Sequence, residues 1–226
     1  MLLPASYLMM NPLPDTSRTG AYGQDYSPTW VDSFGTWLSW RRLSRSLPDR
    51  GFKARLGDFG SGYHAALTRR ALPRVSSAVV VDPQLSADLK SHPQVRAIEG
   101  SLPSALEVLP SESLDVIICN SVIEHLWQPD EPLSQFYRLL APGGCCLINV
   151  PSWRGRWFLE FSAFRLGLSP AAEMNDHKNY YDPRDLWPLL VRAGFLPIHI
   201  HCGLHKFGLN TFAQCRKPKT TRAAHG

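Results

Sequence analysis

The sequence lacks any apolar run that approaches the ~20 residues needed to cross a bilayer, so no membrane span is expected. Its apolar start carries no basic residue and soon meets prolines, which is a poor match to a secretory signal peptide. Cysteine is also scarce: there are five, no two form a CxxC pair, and most lie in apolar runs. These features argue against a disulfide framework or a zinc site and favour reduced thiols in the cytoplasm.

The chain has little excess charge, with 24 basic against 19 acidic side chains and a formal net charge of +5. An excess this small gives no reason to expect a nucleic-acid partner, and it is compatible with an acidic substrate or a membrane surface. Hydrophobic residues make up 44% of the 226 residues, so one domain with a substantial core is expected.

Composition divides the chain into an irregular arm rich in proline and glycine, one domain, and a loose basic tail. Their predicted bounds are 1–28, 29–216 and 217–226. The domain opens with an amphipathic helical pattern over residues 30–47. A helix that covers the sheet is the preferred interpretation. A lid over the substrate, or a peripheral membrane contact through its arginines and tryptophans, is the alternative.

From residue 53 onward, strand patterns alternate with helix patterns. The predicted strands are 53–59, 77–82, 95–99, 114–120, 145–150, 195–202 and 209–216. The predicted helices are 62–71, 84–90, 103–109, 131–140 and 183–192. Alternating units of this kind predict an α/β fold with a parallel sheet and helices on both faces. The short turn between the last two strands predicts an antiparallel hairpin.

The stretch from Arg55 to Ala65 is typical of a strand, a glycine turn and the start of a helix. Glycine at 60 and 62 lets the backbone take positive φ and lets a ligand approach without a Cβ in the way. Asp82 follows a β-branched run 22 residues beyond Gly60, near the spacing at which an acid meets ribose hydroxyls. Asp58 would repel a pyrophosphate and suits a ligand with a cationic amino group. A nucleotide-like cofactor is therefore predicted.

The order Asp58-x-Gly60-x-Gly62 resembles motif I of the class I S-adenosylmethionine-dependent methyltransferases, in particular their type 11/12-like members. His64 departs from the pattern, since many members have a third glycine there. Three later stretches resemble the same family in the expected order: 99–101, 120–126 and 141–144. In the first of these, Ser101 replaces the usual aspartate.

This resemblance spans about residues 50 to 216. It implies a Rossmann-like class I methyltransferase fold with a seven-stranded, mostly parallel sheet and a final antiparallel hairpin. It also implies S-adenosylmethionine as cofactor, held at the carboxyl ends of the strands. The cofactor-binding residues expected there are Asp58, Gly60, Ser61, Gly62, Asp82, Pro83, Ser101, Leu102, Asn120 and Ser121.

On the acceptor side, three residues are candidates for the catalytic role: His125, His177 and Tyr180. A histidine can take a proton as the methyl group arrives, because its pKa lies near neutral pH. A purely structural histidine is an equal alternative for His125. Glu124 with His125 also resembles a metal-binding pattern of some methyltransferases, but Ser121 replaces its first glutamate. A hard cation needs several oxygen ligands and this pattern offers only one carboxylate, so no metal is expected.

The segment from about 153 to 180 is predicted to be a helical lid that helps to build the acceptor site. Trp153-Arg154-Gly155-Arg156-Trp157 could hold a phosphate or carboxylate, or form a plain surface turn. The polar and aromatic cluster at 173–181 favours a binding surface. A small-molecule, lipid or glycan-type acceptor is therefore expected.

Two alternative functions stay open at this point. Ala65 completes a Gly-x-Gly-x-x-Ala pattern, which keeps an NAD(P)-dependent oxidoreductase in view. Asp58 and the absence of a recognisable Tyr-x-x-x-Lys pair argue against it. The second alternative is a cofactor-binding partner subunit without catalytic activity.

Overall fold

The structure is a computed structural model, and it describes residues 30–47, 54–157 and 178–219. Its centre is a seven-stranded sheet in the order β3-β2-β1-β4-β5-β7-β6. The strands are β1 Ala54–Phe59, β2 Val75–Asp82, β3 Val95–Glu99, β4 Leu114–Asn120, β5 Leu140–Pro151, β6 Ile200–His205 and β7 Asn210–Arg216. β7 runs antiparallel to both of its neighbours, while the other pairs are parallel. The predicted fold class is confirmed.

Five helices accompany this sheet in the described residues. They are α1 Trp30–Leu43, α2 Ala66–Ala71, α3 Ala87–Lys90, α4 Asp130–Leu139 and α5 Pro183–Arg192. Residues 153–157 are also helical. The start of α5 follows from local chemistry, because Asp182 and Asp185 form a reciprocal capping box and Pro183 occupies the first turn.

Several predicted elements are wrong in extent. α2 begins at Ala66 instead of residue 62, α3 at Ala87 instead of 84, and β5 already at Leu140 instead of 145. The helix expected over 103–109 is a single 3₁₀ turn, Ser104–Leu106. The strand expected from residue 195 begins only at Ile200, because a 3₁₀ turn, Pro197–His199, precedes it. A proline has no N–H to donate to a sheet, so the strand starts after it.

The core fills both faces of the sheet. On one face, Phe59 and Phe136 of α4 pack with ring centroids 5.3 Å apart, inside a cluster that also includes buried residues of α5. On the other face, Leu43 of α1 and Leu47 join buried residues of α2 and the central strands. The C-terminal half of α1 therefore covers the sheet, as the preferred interpretation of 30–47 predicted.

Some expectations lie outside the described residues. They concern the arm over 1–28, residues 158–177 of the predicted lid with His177, and the last part of the tail. The tail was expected to be loose from Lys217, but its first residues are bound. The Nζ of Lys217 donates to the carbonyl of Leu140 at 2.9 Å and to Glu112 at 3.1 Å.

Among the helices that the structure describes, none is long and apolar enough to cross a membrane.

Candidate functional site

The turn after β1 carries the two glycines predicted to meet the cofactor. Gly60 and Gly62 have φ of +74° and +72°, which only glycine adopts without strain. A Cβ on Gly62 would meet no atom within 4 Å, so this residue borders open space. A Cβ on Gly60 would lie 2.2 Å from Cγ2 of Val122. Gly60 is therefore needed for close packing on the turn after β4, and not for giving a ligand space to approach.

Asp82 ends β2 next to this glycine turn. Its Oδ2 accepts a hydrogen bond of 2.8 Å from the N–H of Gly62, and its Oδ1 a longer one of 3.4 Å from Gln84. The residue is half-buried. The predicted ribose ligand is thus placed at the end of the second strand and is oriented by the same turn that borders the open space.

Asp58 lies within the protein, with an exposed fraction of 1%. Its Oδ2 accepts a hydrogen bond of 2.6 Å from the hydroxyl of Thr68 on α2. Burial raises the pKa of Asp58 to about 6; the Thr68 hydrogen bond opposes this shift and the charge of Asp82 adds to it. Asp58 therefore ties β1 to α2 and places a negative potential near the glycine turn without reaching the surface.

Asn120 and Ser121 form the carboxyl end of β4. Asn149 of β5 donates from Nδ2 to the Oδ1 of Asn120 at 3.0 Å, and its carbonyl accepts the N–H of Ser121 at 2.8 Å. Ser121 has φ of +57°, a left-handed conformation in which the chain leaves the strand sharply. Both predicted residues therefore lie at the carboxyl edge, beside the turn after β1.

The remaining predicted cofactor residues lie on turns after the first three strands. Ser61 belongs to the glycine turn and is half-buried, while Pro83 and Ser101 are exposed. Leu102 is half-buried and packs against the core. All ten predicted cofactor residues thus lie at or just beyond the carboxyl ends of β1 to β4, which are consecutive in the sheet order β3-β2-β1-β4.

The candidate acceptor side begins at the turn Ile123–His125 after β4. The carbonyl of Glu124 accepts the N–H groups of Lys178 and Asn179 at 2.8 and 3.0 Å. His125 is half-buried on this turn. The candidate His125 therefore sits beside the segment that carries Tyr180, although 54 residues separate them in sequence.

Tyr180 packs against the helical turn 153–157 that follows β5. Its ring centroid lies 5.7 Å from that of Trp153, and the guanidinium carbon of Arg156 lies 5.9 Å from the ring. The tryptophan–arginine stretch and the tyrosine cluster, which the sequence suggests separately, are thus one contact region. His177, the third catalytic candidate, lies outside the described residues.

A buried serine joins this turn to the turn between β6 and β7. The hydroxyl of Ser152 donates to the carbonyl of Gly208 at 2.6 Å and accepts the N–H of Gly155 at 3.0 Å. A Cβ on Gly155 would lie 2.0 Å from the carbonyl oxygen of Leu209, so the two turns touch closely. The β6–β7 turn is therefore part of the same edge as the ends of β4 and β5.

Sequence reasoning missed Lys206 on that turn. Its Nζ lies 3.8 Å from the position of a Cβ built on Gly35 of α1. Burial lowers the pKa of Lys206 to about 8, and the charge of Glu124 opposes this shift. Nothing local in the sequence points to Lys206, because its environment is made by α1, which lies about 170 residues earlier.

Glu124, which the sequence suggested only as a metal ligand, is 1% exposed. Its negative charge favours the protonated form of Lys206. Burial raises the pKa of Tyr181 to about 12, and the charge of Glu124 adds to this shift. Within the described parts of the chain, no group of three His, Cys, Asp or Glu side chains could hold a metal ion. Glu124 thus belongs to the polar interior of the candidate acceptor side.

The sheet order, the antiparallel β7, the glycine turn after β1 and the acid after β2 together define a Rossmann-like methyltransferase architecture. A family model described as a methyltransferase domain matches residues 37–200, which is most of the chain. The chain belongs to this family.

Known relatives agree with that assignment. A protein of Mycolicibacterium smegmatis named "Probable S-adenosylmethionine-dependent methyltransferase" is 30% identical over 139 residues, covering 60% of this chain and 49% of that protein. A protein of Mycobacterium tuberculosis with the same description is 29% identical over 149 residues, covering 64% and 48%. The chain thus spans about half the length of the curated relatives it matches.

Solved structures show the same fold. The 1,6-didemethyltoxoflavin-N1-methyltransferase of Burkholderia thailandensis, with bound 1,6-didemethyltoxoflavin and S-adenosylhomocysteine, has a TM-score of 0.59 at 18% identity. The match covers 84% of this chain and 82% of that one. The predicted family and the predicted cofactor, S-adenosylmethionine, are confirmed at the level of the family. The individual site residues and the acceptor stay predictions.

Proposed function

We propose that this chain transfers the methyl group of S-adenosylmethionine to an acceptor at the carboxyl edge of its sheet. The observation that carries the proposal is the open space beside Gly62, whose N–H is held by Asp82 at 2.8 Å. When bound, S-adenosylmethionine supplies a methyl group on a positively charged sulfur, which makes that carbon electrophilic.

The residues at this edge fit such a cofactor. Asp82 offers a carboxylate to ribose hydroxyls and is already oriented by Gly62. Asp58 supplies negative charge close by, which suits the cationic amino group of the cofactor. The same charge disfavours a pyrophosphate, so it supports methyl transfer over the oxidoreductase alternative.

On the acceptor side, residues of the chain would bind the acceptor molecule, orient it toward the methyl group and remove its proton. Arg156 with Tyr180, and Lys206 on the neighbouring turn, favour an acceptor that carries an anionic group. His125 would take the proton from an acceptor oxygen or nitrogen. Holding the reactants close and aligned supplies much of the remaining rate enhancement. We propose a small-molecule, lipid or glycan-type acceptor; the toxoflavin enzyme of the same fold, which binds a small molecule, supports the first.

Titration calorimetry tests the cofactor site. S-adenosylhomocysteine should bind, NAD should not, and Asp82→Asn should weaken binding by about 5- to 150-fold, equivalent to ~1–3 kcal/mol for a lost charged acceptor. The matched control is Asp88→Asn, an exposed aspartate paired with Arg69, which should leave the dissociation constant unchanged. Binding of NAD without a response to S-adenosylhomocysteine would refute the proposal.

Turnover measurements test the acceptor side. His125→Ala and His177→Ala should keep the affinity for S-adenosylhomocysteine while the rate falls by ~10²-fold or more for a true base. Wild-type rates in both variants on the native acceptor would show that positioning alone carries the reaction. Cofactor binding without turnover on any acceptor of the three classes would instead support the partner-subunit alternative.

A further inference from the structure

Exposed large hydrophobic side chains are concentrated in three short segments of the described chain, namely 30–47, 152–157 and 204–209. Seven of the twelve such side chains lie there: Trp30, Phe34, Trp37, Trp153, Trp157, Leu204 and Phe207. We call these seven side chains the aromatic rim. Large apolar side chains that remain exposed together indicate an interaction surface, since they contribute little to folding.

The three segments touch one another. The Nζ of Lys206 lies 3.8 Å from the position of a Cβ built on Gly35 of α1. Ser152 bonds to Gly208 at 2.6 Å. The aromatic rim is therefore carried by one continuous surface at the carboxyl edge of the sheet, next to the candidate acceptor side.

α1 has more apolar surface than covering the sheet requires. Its inner face buries Leu43 completely. Trp30, Phe34 and Trp37 follow at four- and three-residue spacing on the other face, with exposed fractions of 72%, 49% and 44%. Phe34 stacks on Trp37 at 5.8 Å, and the guanidinium of Arg41 lies 5.6 Å from the Trp37 ring. A helix with one buried face normally keeps its other face polar, so the exposed aromatic face of α1 is suited to contact a second partner.

Charge decides what kind of partner fits. The three segments hold six cationic side chains and a single carboxylate, Asp32. The cations are Arg41, Arg42, Arg45, Arg154, Arg156 and Lys206. Tryptophan and arginine together suit the headgroup level of a bilayer, where rings lie in the interface and guanidinium groups meet anionic lipids. Two copies of the same basic surface would repel each other, which disfavours self-association.

We propose that the aromatic rim docks this protein onto an anionic lipid surface. The docked orientation faces the acceptor side toward the membrane, so an acceptor with a lipid anchor could reach it without leaving the bilayer. This inference goes beyond the proposed reaction, because lipid binding needs neither cofactor nor turnover.

Co-sedimentation with vesicles tests the proposal. The full chain should bind vesicles of phosphatidylcholine mixed with phosphatidylglycerol, should bind pure phosphatidylcholine vesicles much more weakly, and should be released by high salt. Arg41→Gln should weaken binding about fivefold, the effect of ~1 kcal/mol per basic residue near an anionic surface. Phe207→Ser, which removes a side chain that is 89% exposed, should weaken it at least as much.

Two exposed residues away from the rim provide matched controls. Ile198→Ser removes a side chain that is 79% exposed, and Arg96→Gln removes a charge on the edge strand β3. Both controls should bind vesicles like the wild type. Equal losses in the controls and the rim variants would overturn the proposal, as would failure of the wild type to bind anionic vesicles.

The protein could instead form a concentration-dependent dimer that Phe207→Ser abolishes, and fail to bind vesicles. That result would assign the aromatic rim to a second copy of the chain and would also overturn the membrane proposal. Calorimetry with S-adenosylhomocysteine on the same preparations separates the two proposals. If S-adenosylhomocysteine binds and vesicles do not, only the membrane surface is wrong. If vesicles bind and S-adenosylhomocysteine does not, only the proposed reaction is wrong.

Discussion

Replacing the buried Asp58 by asparagine should stabilise this protein at neutral pH. The carboxylate is 1% exposed, and its burial raises its pKa from an ordinary 3.8 to about 6. The folded state therefore binds a proton more tightly than the unfolded state does. Stability from this group is fully present below pH 4 and is lost as the pH rises through about 6.

The pKa values set the size of the effect. A shift of about two units at ~1.4 kcal/mol per unit means that the ionised carboxylate costs about 3 kcal/mol of folding free energy above pH 7. Asparagine has nearly the same shape, never ionises, and its amide oxygen can still accept the Thr68 hydroxyl. Asp58→Asn should therefore gain about 3 kcal/mol over the wild type between pH 4 and pH 7, or about 6–12 °C in Tm for a domain of this size.

Urea unfolding of the apoprotein at several pH values measures this difference. Asp115→Asn is the matched control on the neighbouring strand β4. Burial raises the pKa of Asp115, but its hydrogen bonds with Arg55, at 2.8 to 3.0 Å, outweigh burial and lower it overall. That variant should be less stable than the wild type at pH 7 and approach it in acid. A loss of stability in Asp58→Asn that does not vary with pH would refute the reasoning.

Three further predictions concern the same region. Gly60→Ala should destabilise by about 2–4 kcal/mol in urea unfolding, because its Cβ meets Val122 at a positive φ. Gly62→Ala meets no atom, so it should cost only the ~1–2 kcal/mol of the left-handed backbone, but it should weaken S-adenosylhomocysteine binding in calorimetry. Ser152→Ala should cost about 1–3 kcal/mol, since it removes two buried hydrogen bonds, and Ser152→Cys should not rescue it. Asp182→Ala should lower the free energy of unfolding, obtained from Tm, by about 1 kcal/mol, because the capping box is lost. Its affinity for S-adenosylhomocysteine should stay unchanged.

Buried strands were the most predictable part of the fold. The run Leu114–Asn120 has the predicted bounds, because a buried parallel strand is almost continuously apolar. The start of β6 was not predictable in this way. Phe195 and Leu196 continue an apolar pattern, but Pro197 breaks the ladder and leaves Ile198 exposed. A hydrophobic pattern shows which residues are apolar, but it does not show that a proline lacks the backbone N–H a strand needs.

The candidate site likewise has features that sequence spacing predicts and features that it does not. Sequence spacing placed Gly62 and Asp82 at the ends of their strands, and these ends are adjacent in the sheet. Spacing could not show that Asp58 is enclosed against Thr68, nor that the Nζ of Lys206 lies against Gly35 of α1. Those features depend on which elements meet in three dimensions, and no local pattern encodes such meetings.

The antiparallel β7 has a consequence for how the candidate site is distributed along the chain. Because it is inserted between β5 and β6, the chain returns at residues 206–208 to the edge where β4 and β5 end. Features assigned to the cofactor come mainly from the chain up to Ser121, and those assigned to the acceptor mainly from the chain after it. The residues assigned to the cofactor and those assigned to the acceptor thus occupy largely separate stretches of the sequence. A chimaera that exchanges residues 152–219 with those of a relative should change acceptor preference while it keeps the original cofactor affinity.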